Sequence, residues 1–364
     1  MTSITSLPTP ALLLDLDVLD RNIGWMADRA SDLGVAVRPH IKTHKCIEIA
    51  ERQRSAGAHG VTVSTLREAE DFAAHGFDDI TWAFPIPLTL VASAVSLAER
   101  ITLRVVIDSL EAIQALEATG TAWHVWLKVD CGYHRAGVDP TSDDVLHLVR
   151  RIRENPKLTF DGLLTHAGHT YTGPTPVESL EAAREERDVM VTLSAELGSL
   201  GLPVPALSIG STPGMRAIDH LDDISECRPG NYVFFDDTMV TLGAATPGDC
   251  AVSVLASVIS SQPNPKRSVV DAGALALSKD PGRGGVEIPT MGRIYSDYAA
   301  GTLREDLWLT GLSQEHGMIH GQLAVGETVR ILPNHSCLTV ACFDEYNVVQ
   351  GDEIVDRWKV WRGR

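Results

Sequence analysis

Val37-Arg38-Pro39-His40-Ile41-Lys42-Thr43-His44-Lys45 follows directly on the apolar run Leu33–Val37. The run reads as a buried strand, and it stops in a cluster of two lysines, two histidines and an arginine. A strand ending in reactive side chains and followed by a helix is how an α/β barrel arms its C-terminal mouth. Continued alternation predicts Arg38, His40 and Lys42 on one face, with Pro39 and Ile41 on the other. A lysine among other cations gives up its proton more readily, which makes its amine nucleophilic. Local chemistry does not choose between Lys42 and Lys45. A solvated basic turn after a strand would have the same composition.

Outward from this stretch, strands and helices alternate. Eight strands are predicted before residue 230: Val35–Arg38, Gly60–Val63, Ile80–Phe84, Leu103–Ile107, Val125–Val129, Phe160–Thr165, Ala206–Ile209 and Ile224–Cys227. Helical periodicity covers Val18–Leu33, Leu66–Ala73 after a Ser64-Thr65 cap, Leu110–Ala118 ending at Gly120, and Val177–Leu200 stopped by Gly201 and Pro203. Repeated βα units give a parallel sheet, and eight of them favour a closed (β/α)8 TIM-type barrel. No G-x-G-x-x-G follows the first strand, which weakens a dinucleotide-binding reading.

Past Pro229-Gly230 the pattern becomes short, β-rich and turn-separated. Strands are predicted at Ala251–Ile259, Arg267–Asp271, Glu327–Leu332, Leu338–Phe343 and Tyr346–Val349, with Ser278–Asp306 as a long Gly-rich loop. The expected division is a barrel over residues 16–240, with 1–15 and 241–364 forming an all-β domain that takes the early strand Ala11–Asp15.

A chain of 364 residues is long enough for one large and one smaller domain. The net charge of −17 argues against nucleic acid or an anionic membrane as partner, but leaves room for a small anionic ligand held by local cations. The six cysteines are scattered without a C-x-x-C, which suits free thiols in a reducing, cytoplasmic setting. The N-terminus turns acidic at once, unlike a signal peptide, and no apolar run reaches the roughly 18 residues of a membrane span.

Four further stretches carry side chains suited to chemistry. Trp126–Gly137 is a strand entering a Gly-rich loop with Lys128 and Arg135. Leu164–Tyr171 ends a strand in His166, His169 and Tyr171, candidates for acid, base or ring stacking. Ser208–Gly214, just before a short helix, offers Gly210, Ser211 and Thr212 as a phosphate cradle after the seventh strand. Glu226–Tyr232 supplies Arg228, Gly230, Asn231 and Tyr232 after the eighth. In the β region, His335 and Cys337 at i and i+2 share one side of an extended segment. A thiolate with an imidazole favours zinc over magnesium or calcium, with manganese or another divalent ion as the alternative.

These motifs, in this order, resemble the D-serine dehydratase and D-threonine aldolase family of fold type III pyridoxal 5'-phosphate (PLP) enzymes, which share the alanine racemase-like barrel. R-P-H-x-K-T-H-K is similar to the family's PLP-lysine segment, and its cofactor-bearing lysine matches Lys42, with His40 beside it. K-x-D-x-G-x-x-R-x-G places Arg135 toward the cofactor's phenolate oxygen. The resemblance makes His166 and Tyr171 neighbours of the cofactor, with His166 as an acid or base. It makes Gly210, Ser211, Thr212, Gly230 and Asn231 the phosphate site, with Arg228 toward the ring nitrogen and Tyr232 alongside. The H-x-C pair His335 and Cys337 is similar to the metal site of the dehydratases, whereas the aldolases typically show H-x-D. The implied activity is a zinc-dependent D-serine dehydratase acting on a small β-hydroxy D-amino acid and releasing a 2-keto acid and ammonia. The alternatives are retro-aldol cleavage to glycine and an aldehyde, or a 3-hydroxyaspartate dehydratase or aldolase. A non-catalytic PLP carrier on the same barrel competes, but such carriers lack a metal-binding β domain. By resemblance the chain is a homodimer.

Overall fold

The computed structural model describes residues 2–172, 175–282 and 290–363. They form two units. One comprises the chain up to Trp25, Thr43–Ile49 and Asn231–Arg362; the other comprises Met26–Lys42 and Ala50–Gly230.

The second unit is an eight-stranded parallel barrel. Its strands are β1 (Ala36–Val37), β2 (Val61–Val63), β3 (Asp79–Pro85), β4 (Thr102–Ile107), β5 (Trp123–Lys128), β6 (Leu158–Leu164), β7 (Leu207–Ile209) and β8 (Glu226–Cys227). They pair in the order β1-β8-β7-β6-β5-β4-β3-β2. A parallel bridge between His40 and Thr62 joins the two ends and closes the ring. All eight strands lie where the sequence places them. Several helices between them begin at side-chain caps: Thr65 accepts the Glu68 N–H at 3.1 Å, and Thr175 and Glu178 form a reciprocal capping box.

The barrel floor is ionic. Arg38 Nε donates to Glu226 at 2.8 Å and Nη1 to Asp79 at 2.6 Å. Arg104 joins Asp79, and through its Nε reaches Asp161 at 2.9 Å; Asp161 in turn meets His124 at 2.9 Å. Arg38, which follows β1, reaches Asp79 of the non-adjacent β3, so this network crosses the barrel interior. Each buried charge has a partner, the condition under which burial is tolerated.

The first unit is built on a ten-stranded, largely antiparallel sheet. Leu12, Leu13 and Leu14 are all fully buried because Ala11–Asp15 runs between Val252–Pro263 and Glu345–Gln350, covered on both faces. Six strands close a ring through the pairing of Val252–Pro263 with Thr328–Leu332.

Two expectations fail here. Leu338–Phe343 is not a strand: the chain forms the helix Ser336–Val340 and then turns. The helix starts because the Asp236 carboxylate, distant in sequence, accepts the Ser336 N–H at 2.9 Å, taking the part of a cap that His335 does not fill. Ser278–Asp306 is not wholly a loop either. It contains the strand Arg293–Asp297 and the start of Thr302–Leu312, while residues 283–289 lie outside the described residues. Much of Thr302–Leu312 is exposed, which leaves little apolar alternation to read.

Candidate active site

The strand that opens the chain's chemistry stops before Lys42. Arg38 and His40 still donate their N–H groups to Cys227 O and Pro229 O, both at 2.9 Å. Ile41–Thr43 then winds into a 3-10 turn. Alternation therefore ends before Lys42: Arg38 enters the floor network, whereas Lys42 is exposed and its charge acts on His166. Lys42 belongs to the barrel unit, while Lys45 falls in the β unit, where its carbonyl accepts the Trp361 N–H at 2.6 Å.

Around His166 the barrel gathers cations. Burial first, then Lys42, Lys128, Arg135 and Arg228, hold its imidazole well below the usual histidine range. It is neutral at physiological pH, able to accept a proton but not to carry a charge. Lys128, at the end of β5, is 4% exposed, and burial followed by the Arg228 charge pulls its ammonium down to about 8. The Arg228 guanidinium donates to Ser208 Oγ and to the Thr165 carbonyl, and Ser208 Oγ in turn donates to Glu226 Oε1 at 2.5 Å. Arg135 is exposed on the loop after β5, over the ring of Tyr133. Gly137 lets that loop double back. Its φ is +118°, and a Cβ there would lie 2.7 Å from Asp130 N. Tyr171 ends the 3-10 turn Gly168–Tyr171 and is half-buried.

The predicted phosphate cradle has the expected position but fewer spare donors. The short helix Thr212–Ala217 does begin after β7. Ser211 Oγ caps it by accepting the Gly214 N–H at 3.1 Å, and meets Thr170 Oγ1 at 2.8 Å. The Gly210 N–H points to Glu186 Oε1 at 3.3 Å. The Gly210 N–H and the Ser211 hydroxyl are thus engaged within the protein. Gly230 closes the barrel unit. Asn231 and the fully buried Tyr232 lie in the β unit, where Asn231 Nδ2 donates to Asp236 and Ser336.

PLP fits the barrel unit by charge. Lys42, Lys128, Arg135 and Arg228 outnumber the buried Glu186, and Glu226 is already engaged by Arg38 and Ser208. An anionic ligand with phosphate and phenolate groups offsets that surplus, and stabilises the costly ammonium of Lys128.

The metal candidates lie in the β unit. His335 immediately precedes the helix Ser336–Val340 and Cys337 is its second residue, so the pair does not share an extended segment as the spacing implied. The two side chains still interact. Burial disfavours the His335 charge, but Cys337, Asp236 and Asp280 outweigh it and raise the imidazole to about 10. His335 Nδ1 meets Asp280 Oδ2 at 2.5 Å, and Cys337 Sγ donates to Thr43 Oγ1 at 3.3 Å. A histidine whose one nitrogen is held by a carboxylate, next to a thiol, is a donor set suited to a borderline cation such as zinc. Among the described residues no group of three or more His, Cys, Asp or Glu side chains gathers for a metal, so a cation there would rest on two protein ligands plus water or substrate.

Sequence reasoning missed Glu186 and Asp280. Glu186 is one of several acidic residues in a long helix, and Asp280 sits in a stretch read as loop. Only the fold brings their partners to them.

Two family models match the chain: the alanine racemase N-terminal domain over residues 14–238 and a putative serine dehydratase domain over 251–349. A D-threo-3-hydroxyaspartate dehydratase of Delftia sp. (strain HT23) is 38% identical over 99% of both chains. A D-serine dehydratase of Dictyostelium discoideum is 36% identical over 98% of this chain and 97% of its own. Among solved structures, a cysteine-to-alanine mutant of a D-threo-3-hydroxyaspartate dehydratase in the metal-free form superposes with a TM-score of 0.94 at 36% identity, covering 100% of each chain. With its alanine racemase-type barrel and C-terminal β unit, the chain belongs to the D-serine dehydratase and D-threonine aldolase family of fold type III PLP-dependent lyases.

Proposed function

We propose that this enzyme eliminates water from a β-hydroxy D-amino acid, D-serine or D-3-hydroxyaspartate, with PLP on Lys42 and zinc on His335 and Cys337. The single observation that supports dehydration over aldol cleavage is the pairing of His335 with Cys337, with Asp280 on the imidazole Nδ1. The relatives named as dehydratases range from 26% to 38% identity, those named as aldolases from 28% to 29%. The dehydratase solved metal-free carries a cysteine-to-alanine change.

PLP supplies an electron sink that acidifies the substrate's α-carbon. Lys42 Nζ takes the α-proton. Neutral His166 accepts a proton or hydrogen bond without adding charge to a site already rich in cations. Arg135 would face the cofactor's phenolate oxygen and Arg228 its ring nitrogen. A metal ion supplies Lewis acidity that makes the β-hydroxyl a better leaving group. His335, fixed by Asp280, and Cys337 as thiolate would hold that ion. We expect a homodimer, as the family resemblance implies.

The test is a product assay on D-serine, D-threonine and D-3-hydroxyaspartate, in holoenzyme and after verified chelation. Keto acid and ammonia are expected, falling by orders of magnitude when the metal is removed while the cofactor absorbance persists; several kcal/mol of lost Lewis-acid assistance corresponds to about two to four decades in rate. Glycine plus an aldehyde as the main products would replace dehydration with aldol cleavage. Undiminished keto acid without metal would remove zinc from the mechanism.

A further inference from the structure

Glu186 lies in the helix Pro176–Ser199, flanked on its buried face by Ala182, Ala183 and Met190. A packing role there would call for another apolar residue. Instead the carboxylate is 1% exposed, and a single oxygen, Oε1, accepts two backbone N–H groups: Ala167 at 2.8 Å and Gly210 at 3.3 Å. Ala167 is the residue after His166, and Gly210 is the residue after β7. The helix therefore reaches the ends of two adjacent strands and ties their loops to one atom. The loop at Gly210 has little freedom otherwise. Its φ is +103°, and a Cβ there would lie 3.1 Å from Cys227 Cβ, so it is held between β8 on one side and Glu186 on the other. A second contact between the same loops, Thr170 Oγ1 to Ser211 Oγ at 2.8 Å, shows that they are registered to each other as well as to the helix. His166 Nδ1 also lies 3.4 Å from the Gly210 carbonyl.

We infer that Glu186 is a positioning residue that locks the His166 loop and the phosphate-side loop into one register, so that bound PLP and the His166 imidazole keep a fixed separation. The inference rests on the reading that the barrel mouth binds PLP. It assigns the work to the acceptor oxygen rather than to charge, because both bonds converge on Oε1.

Three variants test it. Glu186→Gln keeps an acceptor oxygen and removes the charge. Glu186→Leu fills the volume and leaves both N–H groups without their acceptor. Glu186→Asp keeps charge and acceptor but withdraws them by one methylene, and serves if the leucine variant does not fold. The readouts are PLP affinity by absorbance titration of cofactor-stripped protein, amide hydrogen exchange at Ala167 and Gly210, kcat and KM separately, and Tm. Leucine and aspartate should each weaken PLP about tenfold or more, speed exchange at both amides and lower kcat. Glutamine should restore PLP affinity to within about threefold. Wild-type PLP affinity in both the leucine and aspartate variants, with only Tm lowered, would reduce Glu186 to a structural stitch and overturn the inference. Glutamine as impaired as leucine would overturn it in favour of charge. Absence of PLP binding by the wild type would instead sink the reading of the barrel, while the exchange at Ala167 and Gly210 would still judge the clamp.

Discussion

Two histidines, one in each unit, are pushed in opposite directions. In the barrel unit, burial and four cations hold His166 well below its ordinary range. In the β unit, Cys337, Asp236 and Asp280 overcome burial and raise His335 to about 10. The same side chain is thereby prepared for different partners. A cationic surround with few buried anions awaits an anionic ligand and keeps its imidazole neutral. A thiol and carboxylates around an imidazole favour its charged form, and under the proposed function a cation would take the place of that proton. Under the proposed function the units divide the labour along these electrostatics: the barrel would serve an anionic cofactor and proton transfer, the β unit a Lewis acid.

The strongest way to break this comparison is at Lys42. Lys42→Ala should remove the reducible cofactor adduct and lower turnover by three orders of magnitude or more, about 4 kcal/mol at the barrier. Lys45→Ala, in the β unit, should retain the adduct. Peptide mapping after borohydride reduction decides between them. An adduct on Lys45 in the Lys42 variant would mean that the barrel's cations serve some other purpose.

A second variant sharpens the barrel half. Lys128 is buried, and its folded-state pKa of about 8 lies below the 10.5 of an ordinary lysine. Between those two values the unfolded chain binds more protons, so stability rises with pH through that window and the full penalty is present below 8. The shift corresponds to about 3 kcal/mol at most. Lys128→Met should therefore stabilise the cofactor-stripped protein at pH 7 by up to that amount, with the gain fading toward pH 10. Glu186, facing one cation fewer, would take up a proton more easily and trim the gain. The same substitution should weaken PLP binding. Thermal melts of stripped enzyme from pH 7 to 10 check it; a variant destabilised at pH 7 would show that Lys128 is not a strained cation awaiting an anion.

The fold was legible where local rules act locally. Eight apolar runs gave eight barrel strands, and Thr65 and Gly120 bounded helices as caps do. Reading failed where a partner is far away in sequence. The Asp236 carboxylate turns the start of Leu338–Phe343 from strand to helix across 100 residues. The winding of Ile41–Thr43 breaks the alternation expected to put Lys42 beside Arg38. The Gly210 N–H, read as available to phosphate, is held by a glutamate 24 residues earlier. The residues with a chemical pattern of their own stood out in the sequence, whereas Glu186 and Asp280, which support them, have significance only through contacts.

Asp280 offers the finest test of the β unit's half of the comparison. Its carboxylate sits 2.5 Å from His335 Nδ1, which fixes the ring's orientation, and under the proposed function Nε2 would be the nitrogen left for the cation. A carboxylate in that position also raises the basicity of the ligating nitrogen, and removing such a partner typically costs about 10–100-fold in metal affinity. Asp280→Asn keeps an acceptor for Nδ1–H but removes the charge, so zinc affinity should fall by about tenfold, near 1.4 kcal/mol, and by more in Asp280→Ala. PLP absorbance should be unchanged in both, because the cofactor's cations lie in the barrel unit. Competition titration with a zinc-chelating dye reads the affinity, and at saturating zinc the asparagine variant should recover most of its turnover. Zinc affinity indifferent to both substitutions would show that the aspartate serves only the free protein. Loss of PLP alongside zinc would show that the two charge clusters do not act separately, and the contrast between the two histidines would lose its functional meaning.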